Sequence, residues 1–490
     1  MDLRLAAVAA QRFGFGARPD ELKTIASDPR GWVKAQLTPE AAPPPAIAAL
    51  PPGEDDLLAF GRWLAQRRLA NGGAGRLERM AQREGVTPSE LKSLSIEESF
   101  TQNFRARAVA AIDARLRAAS SSPRPAFERL AHFWGNHFTV SAAKPAAVAL
   151  PPSFEREAIR PHAAGDFGAM LRAATRHPGM QIYLDNWLSV GPNSPRGRRP
   201  PARGPAPRAQ ARDLNENLAR EILELHTLGV GGGYTQADVR TLAAILSGWT
   251  YERPQLRDFL SSAPGKRPAS ALFAFDADAH EPGAKTLLGQ TFAQSGAAQG
   301  EAALDMLARH PSTAAHIATK LVRHYIADAP PPRVVEACAK TFRATDGDIA
   351  RTMATLVDAP EAWSAPLTKF KRPEEYLISI LRALDSPPLP QGAAPAAVAG
   401  MGQRLYAAPG PNGWADEASA WLTSDLVWKR IEYAQAVAQR VARADVDPVA
   451  LGAATLGPLL TAETQQAVQR AQSPVQGLTI LFSSPEFQRR

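Results

Sequence analysis

Over most of the chain, apolar residues recur at every third or fourth position, the spacing that places them on one face of an α-helix. On a wheel turning about 100° per residue, Leu214, Leu218, Ile222, Leu225 and Leu228 gather on one side. A second run gathers Phe127, Leu130, Trp134 and Phe138 in the same way. Pro-rich segments at 38–53, 191–212 and 386–395 interrupt the helical pattern. Strand-like patterning is confined to Phe273–Asp276 and Leu288–Phe292, which are expected to pair as a hairpin turning at His280–Gly283. The expected fold class is all-α: a large multi-helix globular core with a small β-hairpin excursion. Its expected parts are N-terminal helices with a Pro-rich linker (1–53), a helical core (54–385) with a mobile Arg/Pro loop at 191–212, and C-terminal helices packed on the core (396–490).

With 490 residues, 45% apolar and 21% charged, the chain has the composition of a globular protein and can bury a large core. No apolar run approaches the ~18 residues that a membrane helix needs, so no membrane span is expected. The apolar stretch Leu3–Ala10 is short and lacks a cleavage site, so it does not read as a signal peptide. A cytoplasmic location follows, with a periplasmic one reached by co-export as the alternative. The net charge of +8 invites a nucleic-acid reading, but six arginines (Arg196, Arg198, Arg199, Arg203, Arg208 and Arg212) crowd one loop that contains no acid. A solvated insertion accounts for that loop, and no specific nucleic-acid partner is expected. The single cysteine, Cys338, can form no disulfide within the chain and reads as a packed thiol.

Several segments carry a resemblance. They are Arg12-Phe13-Gly14-Phe15-Gly16, His132-Phe133-Trp134-Gly135-Asn136-His137-Phe138, Tyr183-Leu184-Asp185-Asn186-Trp187, and Asn215-Glu216-Asn217-Leu218-Ala219-Arg220-Glu221 continuing to Gly229. His280 to Gly289, His310 to Tyr325 and the closing Ser484-Pro485-Glu486-Phe487 add to them. Together they resemble the bacterial family known as domain of unknown function 1800 over nearly the whole chain. The resemblance implies no assigned reaction. It does imply a partner, because members are often encoded beside a sulfatase-like protein that tends to carry an export signal.

The candidate chemistry lies in the Asn-Glu-Asn helix. Glu221 falls inside the apolar stripe, Asn217 and Glu224 stand on its flank, and Arg220 lies further out. A buried carboxylate must be paired, hydrogen-bonded or protonated. Its desolvation raises its pKa toward the range of a general acid or base. A structural network of buried polar groups explains the same pattern, and Glu216–Arg220 and Arg220–Glu224 also have the spacing of helix-surface ion pairs. His137 borders the aromatic stripe of its helix and is expected to meet Glu221, whereas His132 and Asn136 project to the other side. Asp185 and Asn186 are expected on a solvated face, at the edge of a cleft capped by the Arg/Pro loop. His316 and His324 read as packing or surface residues. Trp414 and Trp421 could stack on a sugar, although core filling is the commoner use.

Glycines Gly229 to Gly233 suit a corner between helices, and Thr235 with Asp238 has the spacing of a capping box. Neither His-Glu-x-x-His nor Glu-x-x-His within the helix occurs, so no cofactor is expected. A divalent metal held by His132, His137, Asp185, Glu221 and Glu224 is the alternative. No nucleophile elbow, dinucleotide fingerprint or phosphate loop is present. The reading that follows is a hydrolase-like enzyme acting on a polymer such as a glycan, with Glu221 and Glu224 or Asp185 as its carboxylates and Asn217, Arg220 and His137 positioning them. The alternatives are a non-catalytic partner or export escort of the sulfatase-like neighbour and a metal-dependent enzyme.

Overall fold

The computed structural model describes residues 2–93, 100–199, 213–255, 258, 272–364, 366–385, 389–441 and 446–490. They are mostly helical, with two small antiparallel sheets of two strands each. The chain carries 43 prolines, which would break its helices if they fell inside them. Instead Pro125, Pro178, Pro311, Pro373 and Pro474 each occupy the first turn of a helix. First-turn N–H groups have no partner within the helix, so a missing one costs little there. In the helices opened by Pro178 and Pro311 a histidine caps one further donor: His177 Nδ1 accepts from the Gly179 amide at 3.0 Å and His310 Nδ1 from the Ser312 amide at 3.2 Å. Among the described residues, no helix is long and apolar enough to cross a membrane.

Among the described residues three helices widen into a π turn, at Ala9–Phe13, Glu155–Ile159 and Ile222–His226. Such a turn holds an extra residue, so side chains after it leave the phase of an α-helical wheel. The third π turn corrects the wheel drawn from the sequence. Leu225, expected in the stripe, is only partly buried, while His226 turns inward and is fully buried. Thr227 Oγ1 then donates to the Ile222 carbonyl at 2.6 Å. Gly229 ends the helix at φ +83°, where an added Cβ would also lie 2.6 Å from His316 Nδ1. Thr235 and Asp238 form the expected capping box at the start of the next helix.

The strands differ from the expected pairing. Strand β1 (Trp249–Tyr251) pairs with β2 (Phe273–Phe275) in the register Trp249 to Phe275, and β3 (Lys285–Leu287) pairs with β4 (Gln290–Phe292) in the register Lys285 to Phe292. The small hairpin is therefore β3–β4, and Phe273–Phe275 belongs to the other sheet. The turn that closes it is Leu288-Gly289, both with positive φ, which matches the twist of a two-residue hairpin loop. His280 Nδ1 instead donates to the Ser247 carbonyl at 2.8 Å. The described part of the Arg/Pro loop, 191–199, is pinned by ion pairs of Arg196 with Asp276 and Arg199 with Asp278. Arg203, Arg208 and Arg212 lie outside the described residues.

Buried apolar residues form two large clusters. The first is built around helix Pro125–His137. The second joins Phe15, Leu116, Tyr376 and Leu377 to C-terminal residues such as Leu478, Phe482 and Phe487. Ions bridge helix Pro125–His137 to helix Pro373–Ala383: Arg129 Nη1 donates to Glu375 Oε1 at 2.8 Å, and Arg490 Nε donates to Glu375 Oε2 at 2.9 Å. The amide of Arg372 also donates to Glu375, at 2.9 Å. Burial would raise the Glu375 carboxyl, but the guanidiniums of Arg490, Arg129 and Arg372 hold it well below the usual range.

The opening Arg-Phe-Gly-Phe-Gly motif serves this network. Arg129 Nε donates to the Gly14 carbonyl at 2.6 Å and Arg382 Nε to the Gly16 carbonyl at 2.9 Å. Phe15 lies against the Arg129 guanidinium, 4.5 Å from it to the ring centre. A Cβ at Gly14 would come within 2.9 Å of the Ala10 carbonyl, so this close approach of backbones requires glycine. At the other end, Lys371 Nζ donates to the Phe487 carbonyl at 2.7 Å.

Candidate acid–base site

Asn217–Glu221 is a short α-helical segment that runs directly into the π turn Ile222–His226. Glu221 stands at the junction, and Glu224 lies inside the widened turn. Leu218, Ile222 and Leu223 are buried beneath them and anchor the segment. Both carboxylates are partly buried, which corrects the expectation that Glu221 is sunk within the core. Among the described residues Glu221 has no hydrogen bond or ion pair to its carboxylate. Burial and the neighbouring Glu224 charge raise its pKa, against the weaker pull of Arg220.

Two tyrosines complete the surroundings. Tyr234 donates its hydroxyl to Glu224 Oε2 at 3.4 Å, and its own pKa is raised by burial and by Glu224. Tyr183 is pushed up to about 12 by burial and by the charge of Glu221. The two carboxylates thus sit in different surroundings, one unpartnered and one facing a phenol. Such a difference separates an acid from a base in one site.

The other residues singled out by the sequence divide. Arg220 is near Glu221 but spends its guanidinium on Glu216 Oε2 and Gln236 Oε1, both at 3.0 Å. Asn217 is exposed and does not hydrogen-bond Glu221 among the described residues. Asp185 is ion-paired to Lys144 at 2.7 Å, and its backbone carbonyl accepts from Asn215 Nδ2 at 3.2 Å. That bond ties the Asp185 turn to the start of the Asn-Glu-Asn segment. Asn186, expected in solvent, is buried, with Nδ2 donating to the Leu246 carbonyl at 3.2 Å and the Trp249 carbonyl at 3.0 Å. His132, expected on the outer side of its helix, is fully buried between Phe15 and Glu374, because the second apolar cluster covers that side. Among the described residues, no group of three or more His, Cys, Asp or Glu could hold a metal ion, and His132, His137, Asp185, Glu221 and Glu224 are not brought together.

His137 meets the carbonyl of His226 through Nε2 at 3.2 Å, not Glu221. His316 makes the parallel contact to the Leu225 carbonyl at 3.0 Å. The wide turn leaves its carbonyls without their usual α-helical partners, and these two imidazoles supply donors. Burial depresses both, His316 to about 4.

The same histidine helix borders a cavity of about 210 Å³ between helix Pro311–Tyr325 and the loop carrying Asn412 to Glu417. Sequence reasoning missed Lys320, Arg323 and Asp416 here and assigned His324 to packing or surface. The available signal was the spacing of His316, Lys320 and His324, which repeats every four residues and puts three basic groups on one helix face.

Asn136 holds the cavity loop by two bonds, donating to the Trp414 carbonyl at 2.9 Å and accepting from its amide at 2.8 Å. Gly413 makes this approach possible, with φ +76° and space for a Cβ only 2.4 Å from the Asn136 carbonyl oxygen. Gly413→Ala is therefore expected to destabilise the protein by about 1–3 kcal/mol. It should also shift the tryptophan emission as Trp414 is displaced. Unchanged emission and unfolding curves would contradict the clamp.

A mostly helical protein with a half-exposed carboxylate pair between tyrosines, backed by buried histidines, is the class that the fold and this site define. The chain belongs to the family described as protein of unknown function (DUF1800), whose model matches residues 8–489. No curated protein and no solved structure matches it.

Proposed function

We propose that this protein is a hydrolase-like enzyme that uses Glu221 and Glu224 as an acid–base pair on a polymer such as a glycan. The observation that carries the reading is Glu221: a partly buried carboxyl, without a partner among the described residues, with its pKa raised by burial and by Glu224. In the protonated form it can donate to a leaving-group oxygen, while Glu224 serves as base or nucleophile. Glu221, Glu224, Tyr183 and Tyr234 are all partly exposed, which supports access by a substrate from solvent.

The test is release of reducing ends from a panel of neutral and acidic polysaccharides. Glu221→Gln should abolish turnover. It should also leave the thermal midpoint at pH 7 equal or higher, because it removes a carboxylate that the fold holds against its preference for water. If Glu221→Gln unfolds the protein, or if it retains full turnover, the reading fails.

A further inference from the structure

The cavity beside helix Pro311–Tyr325 has a polar lining that the protein itself leaves unsatisfied. Arg323 Nε, Arg372 Nε and Trp414 Nε1 are buried donors without a hydrogen-bond partner among the described residues. Such donors are costly to bury unpaired, and they can be matched by an acceptor from outside the chain. Lys320, also on the cavity wall, makes no hydrogen bond or ion pair among the described residues.

The acids present do not meet this demand. Asp416 already accepts from His324 Nδ1 at 2.9 Å, Arg490 Nη2 at 3.2 Å and Lys369 Nζ at 3.3 Å. Among the described residues the Glu417 carboxylate reaches only Arg323 Nη1, at 3.8 Å.

The two imidazoles add a second requirement. His324 bonds the Asp416 carboxylate through Nδ1, and His137 bonds the His226 carbonyl through Nε2, so each carries its proton on the bonded nitrogen. The other nitrogens, His324 Nε2 and His137 Nδ1, are therefore bare acceptors, and neither has a partner among the described residues. Residues that line one cavity thus carry unpaired cationic and N–H donors together with unpaired imidazole acceptors.

We infer that this cavity binds a small hydroxylated oxyanion, a carboxylate whose neighbouring carbons carry hydroxyl groups. The carboxylate would take Lys320 and the Arg323, Arg372 and Trp414 donors, and the hydroxyls would donate to the two bare imidazole nitrogens. A volume of about 210 Å³ exceeds what a few waters require. The inference is independent of the Glu221–Glu224 chemistry.

Lys320 also sets how binding depends on pH. It is surrounded by His137, His226, His316 and Arg323, and by the acids Asp416 and Glu417. Burial brings its pKa down to about 8. Affinity for an anion is then present below that pH and falls as the pH rises through it.

Titration calorimetry with D-glucuronate, glucose, acetate and inorganic phosphate at fixed ionic strength tests this on the full chain. Glucuronate should bind saturably, and each of the other three should bind about tenfold more weakly or worse. Lys320→Met, which keeps an apolar stem of similar length, should weaken glucuronate by about tenfold or more. As a check that needs no variant, glucuronate should protect Lys320 from reductive methylation in the native protein, read by mass spectrometry. Absence of saturable glucuronate binding, equal affinity for phosphate or acetate, unchanged binding by Lys320→Met, or unprotected methylation would each overturn the proposal.

Discussion

Glu375→Gln is expected to lower the free energy of unfolding by about 3–5 kcal/mol, the usual cost of removing one partner from a buried charge cluster. Glu375 is 1% exposed and accepts from Arg129, Arg490 and the Arg372 amide. Without its charge, three guanidiniums stay buried close together with only Glu374, Asp416 and backbone carbonyls to oppose them. Glu374 cannot take over, since its carboxylate already faces Arg372 Nη2 at 3.1 Å and Arg115 Nη2 at 3.2 Å. Urea unfolding at pH 7 followed by circular dichroism measures the effect. A loss below about 1 kcal/mol, the range of a surface pair, would show that the cluster does not join the two apolar cores.

The second large effect is acid sensitivity that begins well above the carboxylate range. Eight histidines have pKa values lowered in the fold, mainly by burial. His226 and His324 fall to about 3, from 6.5. Between those values the unfolded chain binds protons that the native state refuses. Stability is therefore complete above pH 6.5 and is lost as the pH falls. Each of these two buried rings removes about 2 kcal/mol by pH 5. The raised carboxyls Asp56, pushed up to about 7, Glu155, Glu221 and Glu301 act in the opposite direction but are fewer. Below this window Glu375 and Asp416, both held low, add their own loss. The urea midpoint should fall steeply from pH 7 to pH 5, and a flat or rising midpoint would contradict the burial of neutral histidines.

The helical class was legible because prolines, caps and apolar spacing agree, as at Thr235 and Asp238. What the spacing hid has identifiable physical causes. An α-helical wheel assumes constant phase, and the π turn at Ile222–His226 shifts it, so His226 entered the core and Leu225 left it. The wheel of helix Pro125–His137 showed one apolar stripe, but the helix is covered on two sides, which buried His132. The Arg-Phe-Gly-Phe-Gly motif showed its glycines and not their use, because the guanidiniums that those carbonyls receive come from Arg129 and Arg382, more than a hundred residues away. Asn186 was misread for a related reason: besides nearby Gln181, its acceptors are the carbonyls of Leu246, which ends a helix about sixty residues on, and Trp249, which opens strand β1. The Asn-Glu-Asn carboxylates could be picked out as a pair, yet their depth and their tyrosine neighbours could not.

The measurement closest to the central claim is the titration of Glu221 itself. In protein labelled with carbon-13 at the glutamate side-chain carboxyl, the Glu221 resonance can be assigned by its loss in Glu221→Gln. Its midpoint is predicted above the ordinary value of 4.5 and should move downward in Glu224→Gln, which removes the neighbouring charge. A midpoint at or below 4.5, or one indifferent to Glu224, would contradict an acid–base pair at this turn.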